Sequence, residues 1–126
     1  MAVAVGGVAL TGQDDTTDAV SETPGEVVGR AEPGAGPTTL DVSVFTPEPT
    51  VPGADEDGRR PAVLLAHGFG GSKDDLADAA RRTASEGYVV MTWTARGFGE
   101  SGGRIHLDSP DWEIDDVSRL VDALAA

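Results

Sequence analysis

The stretch AVLLAHGFGGSKDDLADAARRTASEGYVVMTWT, residues 62–94, decides the fold class of this chain. It begins with one unbroken apolar run, residues 62–66, and ends with another, residues 88–94. Unbroken apolar strands are typical of parallel sheets, which are covered on both faces. Between the runs we expect a helix, because Ser72 and Asp75 are spaced as a capping box and Gly87 suits a helix end. The stretch therefore predicts strand, glycine-rich loop, helix and parallel strand, joined by a right-handed crossover.

The sequence on either side extends this unit. Upstream, residues 26–32 form a candidate first strand and residues 39–46 alternate as a strand with one buried face. Downstream, Ser109 can cap a second helix, with Pro110 at its first position. Its predicted apolar face contains Ile114, Val117, Leu120, Val121 and Leu124. We predict an α/β fold with antiparallel leading strands and then parallel strands with crossover helices. A further parallel strand should follow the second helix, so this fold is expected to be incomplete.

Composition divides the chain into two parts. Residues 1–24 combine an apolar start, MAVAVGGVAL, with an acidic, threonine-rich stretch. The start resembles the apolar part of a clipped export signal, although no positive charges precede it. The stretch after it is predicted to be a disordered linker. Residues 25–126 are assigned to the folded domain. On this basis we expect a secreted or cell-envelope protein, with a cytoplasmic one as the alternative.

Charge and residue usage exclude several functions. The formal net charge is −13, with 22 acidic residues against 9 basic ones, which disfavours nucleic acids and anionic membrane surfaces as partners. The apolar start is too short to span a bilayer. The sequence has no cysteine, so a disulfide or a catalytic thiolate cannot form within it. The acidic run at residues 55–57 lacks the spacing of a calcium loop, and we expect neither a metal nor a cofactor.

The loop HGFGGSKDD, residues 67–75, is the first candidate site. It follows the carboxyl end of a predicted parallel strand, where open α/β sheets place their sites. A backbone N–H in such a loop can stabilise a developing oxyanion, and the Phe69 amide is the candidate donor. His67, Gly68 and Gly70 would shape the loop. The alternative is a tight turn leading into a helix. A phosphate loop is excluded, because Asp74 follows Lys73 where that motif needs Ser or Thr.

The loop RGFGESGG, residues 96–103, contains two further motif matches. Residues 97–102 fit G-x-G-x-x-G, which would bind a nucleotide, but no helix is predicted at the last glycine. Residues 99–103 fit the nucleophile elbow G-x-S-x-G, which would make Ser101 a nucleophile. The elbow requires a strand directly before it and a helix directly after it, so we interpret Ser101 as a loop residue. Arg96 belongs to the same loop, and a solvated guanidinium is favoured over one paired with a carboxylate.

The two histidines do not complete a catalytic triad. His67 lies at a strand end before the glycine-rich loop, and a structural role is favoured there. His106 lies in an extended loop and is expected to face solvent or to pack at the rim. In the elbow type of hydrolase the order is Ser, then Asp or Glu, then His. Neither histidine follows a nucleophile and an acid in that order.

The chain from residue 39 onward resembles the α/β-hydrolases, and within them the X-Pro dipeptidyl-peptidase and cocaine-esterase-like group. LDVSVFTP, PAVLLAHGFGGSKDD, GYVVMTWTARGFGESGG and LDSPDWEIDDVSRLVDALA carry the resemblance. It implies a Ser-Asp-His hydrolase of ester or amide bonds, in which the Phe69 amide supplies part of the oxyanion hole. The triad would lie beyond residue 126, and residues 1–126 alone would be inactive. Small esters, amides or peptides are the expected substrates. The alternatives are a nucleotide-binding module using residues 97–102 and a non-catalytic α/β domain.

Overall fold

The computed structural model describes residues 8–10, 15–17 and 19–125, which are organised around one mixed β-sheet. Its strands are β1 (Ala9–Leu10), β2 (Asp15–Thr17), β3 (Val20–Gly29), β4 (Thr38–Pro47), β5 (Ala62–Ala66) and β6 (Val89–Trp93). They lie in the order β1-β3-β4-β6-β5, with β2 also paired to β3. β5 and β6 are parallel, and every other pairing is antiparallel. The predicted fold class is confirmed.

Two helices cover the sheet. A 3-10 helix, Lys73–Leu76, leads into α1 (Ala77–Ser85), and the capping box predicted at Ser72 and Asp75 is present. α2 spans Glu113–Ala125, so it begins later than the predicted cap at Ser109. Instead, the Glu113 carboxylate accepts a hydrogen bond from the Ser109 N–H at 2.9 Å, and the residues between them form a turn. Pro110, predicted at the first position of the helix, lies in that turn and therefore before the helix.

Each face of the sheet has its own apolar core, because successive strand residues point to opposite sides. On one face, β-strand side chains pack against α1 in a cluster of Val20, Phe45, Ala80, Ala84 and Val90. On the other face, strand side chains pack against α2 in a cluster of Val27, Leu40, Val42, Val44, Met91, Trp93, Leu120 and Ala123. The sheet is therefore the middle layer of three.

The apolar face predicted for α2 is only partly correct. Leu120 is fully buried, but Ile114, Val117 and Val121 are 51%, 39% and 48% exposed. The buried positions of α2 are Asp116, Leu120 and Ala123, which are spaced by four and three residues along one face. Asp116 turns this face inward because it pairs with a buried arginine of the sheet edge, described below.

The linker prediction for residues 1–24 is corrected where the structure describes them. β2 pairs with β3, and β3 begins at Val20, where a ten-residue ladder with β4 starts. Pro24 does not interrupt this ladder, because it lies where neither β1 nor β2 pairs with β3 and no N–H is needed. Residues 1–7, 11–14 and 18 lie outside the described part of the chain. Most of the apolar start on which the export prediction depends is therefore not described.

We predict that Leu120→Ala destabilises the chain and Val121→Ala does not. Leu120 is fully buried against the sheet, and truncating a buried leucine costs about 2–5 kcal/mol through lost burial and the cavity left behind. Val121 is adjacent but half exposed, so its truncation should cost less than about 1 kcal/mol. Urea unfolding of both variants measures the free energies. Equal losses would contradict the observed orientation of α2.

Candidate functional site

The loop after β5 forms a tight turn. The Gly71 N–H donates to the Gly68 carbonyl at 3.0 Å, which closes a β-turn with Phe69 and Gly70 at its centre. Gly70 has φ +82°, whereas Phe69 has a negative φ, so the turn is of type II and requires glycine at that position. The turn does not use the Phe69 N–H. Among the described residues, no group accepts a hydrogen bond from it.

His67 holds the first end of this turn. Its Nε2 accepts a hydrogen bond from the Ala95 N–H at 3.0 Å, which links the loop to the residues that follow β6. Its Nδ1 lies 2.7 Å from the Gly68 carbonyl oxygen. Because Nε2 accepts, Nδ1 carries the proton and donates it to that carbonyl. Both ring nitrogens are therefore engaged, and neither is available as a general base in this arrangement.

Two phenylalanines lie beside the unoccupied amide. The Phe69 ring is 82% exposed and packs edge-to-face on Phe98, with 5.1 Å between the ring centroids. Phe98 also contacts the His67 ring at 5.6 Å, again edge-to-face. Such aromatic pairs are stabilising in this geometry. The turn after β5 and the loop after β6 are thus in direct contact at the carboxyl ends of the parallel strands.

Gly71 is closely packed against the start of the helix. A Cβ atom at this position would lie 2.4 Å from the Asp75 Oδ2, which is the carboxylate that accepts the Ser72 N–H in the capping box. The glycine pair at residues 70–71 therefore serves the positive φ of the turn and the close approach of the helix cap. The turn and the start of the helix form one continuous unit.

Ser101 is engaged in structural hydrogen bonds. Its hydroxyl donates to the Thr94 carbonyl at 2.5 Å and accepts from the Asp41 N–H at 2.9 Å. No histidine ring contacts it among the described residues. The loop closes on itself through the Gly97 N–H and the Gly102 carbonyl, 2.9 Å apart, and no helix begins at Gly102. The geometry of a nucleophile elbow is absent here, and so is the helix that a nucleotide pyrophosphate would need.

The solvated state favoured for Arg96 is wrong. Its side chain is fully buried, and Nε and Nη2 donate to the two carboxylate oxygens of Asp116, each at 2.7 Å. Nη2 also donates to the Arg30 carbonyl, and the guanidinium lies 5.0 Å from the centre of the Trp112 ring. Donating hydrogen bonds to the Asp116 carboxylate raises the pKa of Arg96 above its ordinary value. The Arg96 side chain therefore contributes no group to the candidate site, and it links the loop after β6 to α2.

His106 packs at the rim, in the second of its two predicted environments. Its ring stacks on Trp112 with centroids 4.8 Å apart, and Nε2 lies 2.7 Å from the Glu32 carboxylate. The Arg104 N–H donates to the same carboxylate at 2.8 Å. The hydrogen bond from His106 and then that from Arg104 lower the pKa of Glu32, so this carboxylate stays ionised at neutral pH. Together, the contacts of Glu32 with His106 and Arg104 fix the loop between β6 and α2.

Four further residues of this edge were not among the predicted site residues: Glu32, Asp41, Lys73 and Asp116. Lys73 and Asp41 form an ion pair at 2.8 Å between the start of the 3-10 helix and β4. Asp116 carried no distinct signal, because an acid in the first turn of a helix is explained by the helix dipole alone. Lys73 is the only lysine of the sequence, which is the one available hint of a special position.

Other kinds of site find little support in the described part of the chain. It contains no group of three or more metal-ligating side chains. It also contains no helix that is both long and apolar enough to cross a membrane. A cavity of about 720 Å³ opens at the other end of the sheet, near the starts of β5 and β6, and Leu64, Val89, Val121 and Leu124 help to line it. None of the predicted site residues lines this cavity.

We predict that Asp116→Asn lowers the free energy of unfolding by about 3 kcal/mol, because it removes the closer carboxylate partner of the buried Arg96 charge and leaves Glu32, at 3.4 Å, as the remaining one. Asp122→Asn changes an exposed carboxylate of the same helix and should cost less than about 1 kcal/mol. The double variant R96M/D116L removes both charges and should lose less than D116N. Urea unfolding of the three variants tests this. Equal stability of D116N and D122N would refute the buried pair.

Comparisons with known proteins agree with this architecture. Residues 57–126, more than half of the chain, match the family model described as serine aminopeptidase, S33. Over 75 residues the chain is 35% identical to the uncharacterized protein YcjY of Escherichia coli strain K12, which covers 58% of this chain and 24% of that protein.

A solved structure extends the comparison to a larger share of the chain. A PEG-bound complex of a novel cold-adapted esterase from an Arctic intertidal metagenomic library superposes with a TM-score of 0.55 at 20% identity. The match covers 79% of this chain and 38% of the esterase chain, and at this identity it shows the fold. The matched part of this chain spans 24% of the length of YcjY and 38% of the length of the esterase chain. With its mixed sheet, its parallel β5–β6 pair and the match over residues 57–126, the chain belongs to the S33 serine aminopeptidase family of α/β-hydrolases.

Proposed function

We propose that this chain is the oxyanion-binding part of a serine hydrolase that cleaves ester or amide bonds. The observation that carries the proposal is the unoccupied Phe69 N–H, which lies at the carboxyl end of a parallel strand in a turn held by its neighbours. Family membership supports a hydrolase, and it leaves the bond type open.

The chemistry requires a fixed donor at this place. When a serine oxygen attacks a carbonyl carbon, the carbonyl oxygen becomes an oxyanion in the tetrahedral intermediate. A backbone N–H that already points to this position stabilises the new charge without reorganisation. The Phe69 amide meets this condition, because the turn hydrogen bond and the His67 links restrain the loop before any substrate binds.

We propose that the nucleophile, acid and base are supplied by residues outside this sequence. In the described residues, each histidine ring is engaged with a backbone group or with Glu32, and Ser101 is engaged with Thr94 and Asp41. This leaves no serine in contact with a histidine that an acid orients, which is the arrangement serine hydrolysis needs.

The surroundings of the amide suggest the substrate class. Phe69 and Phe98 form an apolar wall beside the donor, which favours an acyl or leaving group with an apolar surface. The name of the structural relative supports ester hydrolysis, and that of the family supports amide hydrolysis. X-Pro peptides are the narrower amide substrates that the sequence resemblance adds to this proposal.

A fluorophosphonate probe tests the location of the nucleophile. We expect the 126-residue chain to remain unlabelled and to leave p-nitrophenyl esters uncleaved, because the Ser101 hydroxyl is held in two structural hydrogen bonds. The wild-type chain is compared with S101A and with S118A, which removes an exposed hydroxyl of α2. Labelling that S101A abolishes and S118A preserves would identify Ser101 as the nucleophile and overturn the proposal.

Phe69→Pro tests the donor directly in the full-length hydrolase. Proline is favoured at the second position of a type II turn, so the substitution keeps the turn while it removes the N–H together with the aromatic ring. Loss of one oxyanion donor lowers kcat by about 10²–10³-fold, and we expect KM to change by less than about fivefold. Phe69→Ala retains the N–H and serves as the control. Steady-state ester hydrolysis measures both, and equal kcat values for the two variants would exclude the Phe69 amide as a donor.

A further inference from the structure

Lys73 connects the glycine-rich turn to the centre of the sheet. Its Nζ lies 2.8 Å from the Asp41 Oδ1 and donates to the Val42 carbonyl at 3.0 Å. The side chain is only 11% exposed, although this is the only lysine of the sequence. Lys73 lies two residues after Gly71, so its ammonium group links the end of the turn to β4, which lies on the far side of β6.

Asp41 contacts both the loop after β5 and the loop after β6. Its carboxylate binds Lys73, its N–H donates to the Ser101 hydroxyl, and its carbonyl accepts the Thr94 N–H at 2.9 Å. The Lys73 N–H donates to the Thr94 Oγ1 at 3.1 Å. Lys73 is therefore fixed through its side chain on β4 and through its backbone on the residue after β6.

The turn needs such an anchor because of its composition. Gly70 and Gly71 lie between Phe69 and the helix, and glycine permits many backbone conformations. His67 restrains the turn only at its first end. The Phe69 N–H belongs to the Gly68–Phe69 peptide plane, whose direction depends on the torsions of Gly68 and Phe69, and these change if the second end of the turn moves relative to the first.

We propose that Lys73, through its ion pair with Asp41, is a positioning residue that fixes the direction of the Phe69 N–H. This inference rests on the proposed function, since a fixed direction matters only if that N–H binds an oxyanion. A misplacement of about 1 Å can cost about 10²-fold in rate. Replacing Lys73 by methionine should therefore lower kcat while KM changes little.

The test compares K73M, K73R and R82M by ¹⁵N relaxation and hydrogen exchange on the chain. Arg82 is an exposed cation on α1, so R82M is the matched control. In the wild type we expect an order parameter of about 0.85 at the Phe69 amide, and in K73M a value below about 0.6. The Gly71 N–H, which closes the turn, should exchange at least about tenfold faster in K73M. K73R should restore both values, and R82M should match the wild type.

The core provides the internal reference. The Leu120 amide on α2 should keep its exchange rate in K73M, which separates a local effect from general destabilisation. Wild-type values at Phe69 and Gly71 in K73M, or a rise at Leu120 as large as that at Gly71, would overturn the proposal. If K73M does not fold, D41N gives the same reading, because it removes the charge partner and keeps a similar shape.

Activity separates this inference from the proposed function. In the full-length hydrolase, K73M should lower kcat for a p-nitrophenyl ester by about 10–100-fold, with KM within about threefold, and K73R should recover most of it. A wild-type protein without esterase or amidase activity would refute the proposed function, while the relaxation data would still decide whether Lys73 orders the turn. Normal kcat in K73M would overturn the positioning role.

Discussion

The parallel pairing of β5 with β6 is the constraint on which the candidate site depends. It aligns Ala66 with Trp93, so the loops that follow the two strands leave the sheet at the same edge. The contacts of His67 with Ala95, of Lys73 with Thr94 and of Phe69 with Phe98 all follow from this alignment. An antiparallel pairing would send the two loops to opposite ends of the sheet.

Two ion pairs bind charged side chains at this edge of the sheet. Arg96 and Asp116 are buried together, and the cost of burying each charge is offset by two hydrogen bonds and by the stacked Trp112 ring. Lys73 and Asp41 form a second pair near the surface of the same edge. Against this background the Phe69 N–H is without an acceptor among the described residues, because the turn that exposes it provides none.

Sequence patterns predicted the local structure well where one signal dominates. The apolar run 62–66 coincides with β5, and the capping box at Ser72 is present. They failed where a distant partner decides the outcome. Asp116 pairs with Arg96, twenty residues earlier in the chain, and this contact orients α2 so that Val117 and Val121 are exposed. Helical periodicity contains no information about such a partner, since two different faces of α2 carry apolar residues.

The sequence by itself determined the order of elements from β4 onward, the parallel pair and the turn at residues 68–71, because these depend on short-range rules of strand composition, capping and glycine conformation. Only the tertiary structure decided which polar groups meet. Asp41 lies 32 residues before Lys73 and 60 before Ser101, yet it binds both. Pairings of this kind arise from the stacking of strands in space, and the spacing of residues along the chain does not specify them.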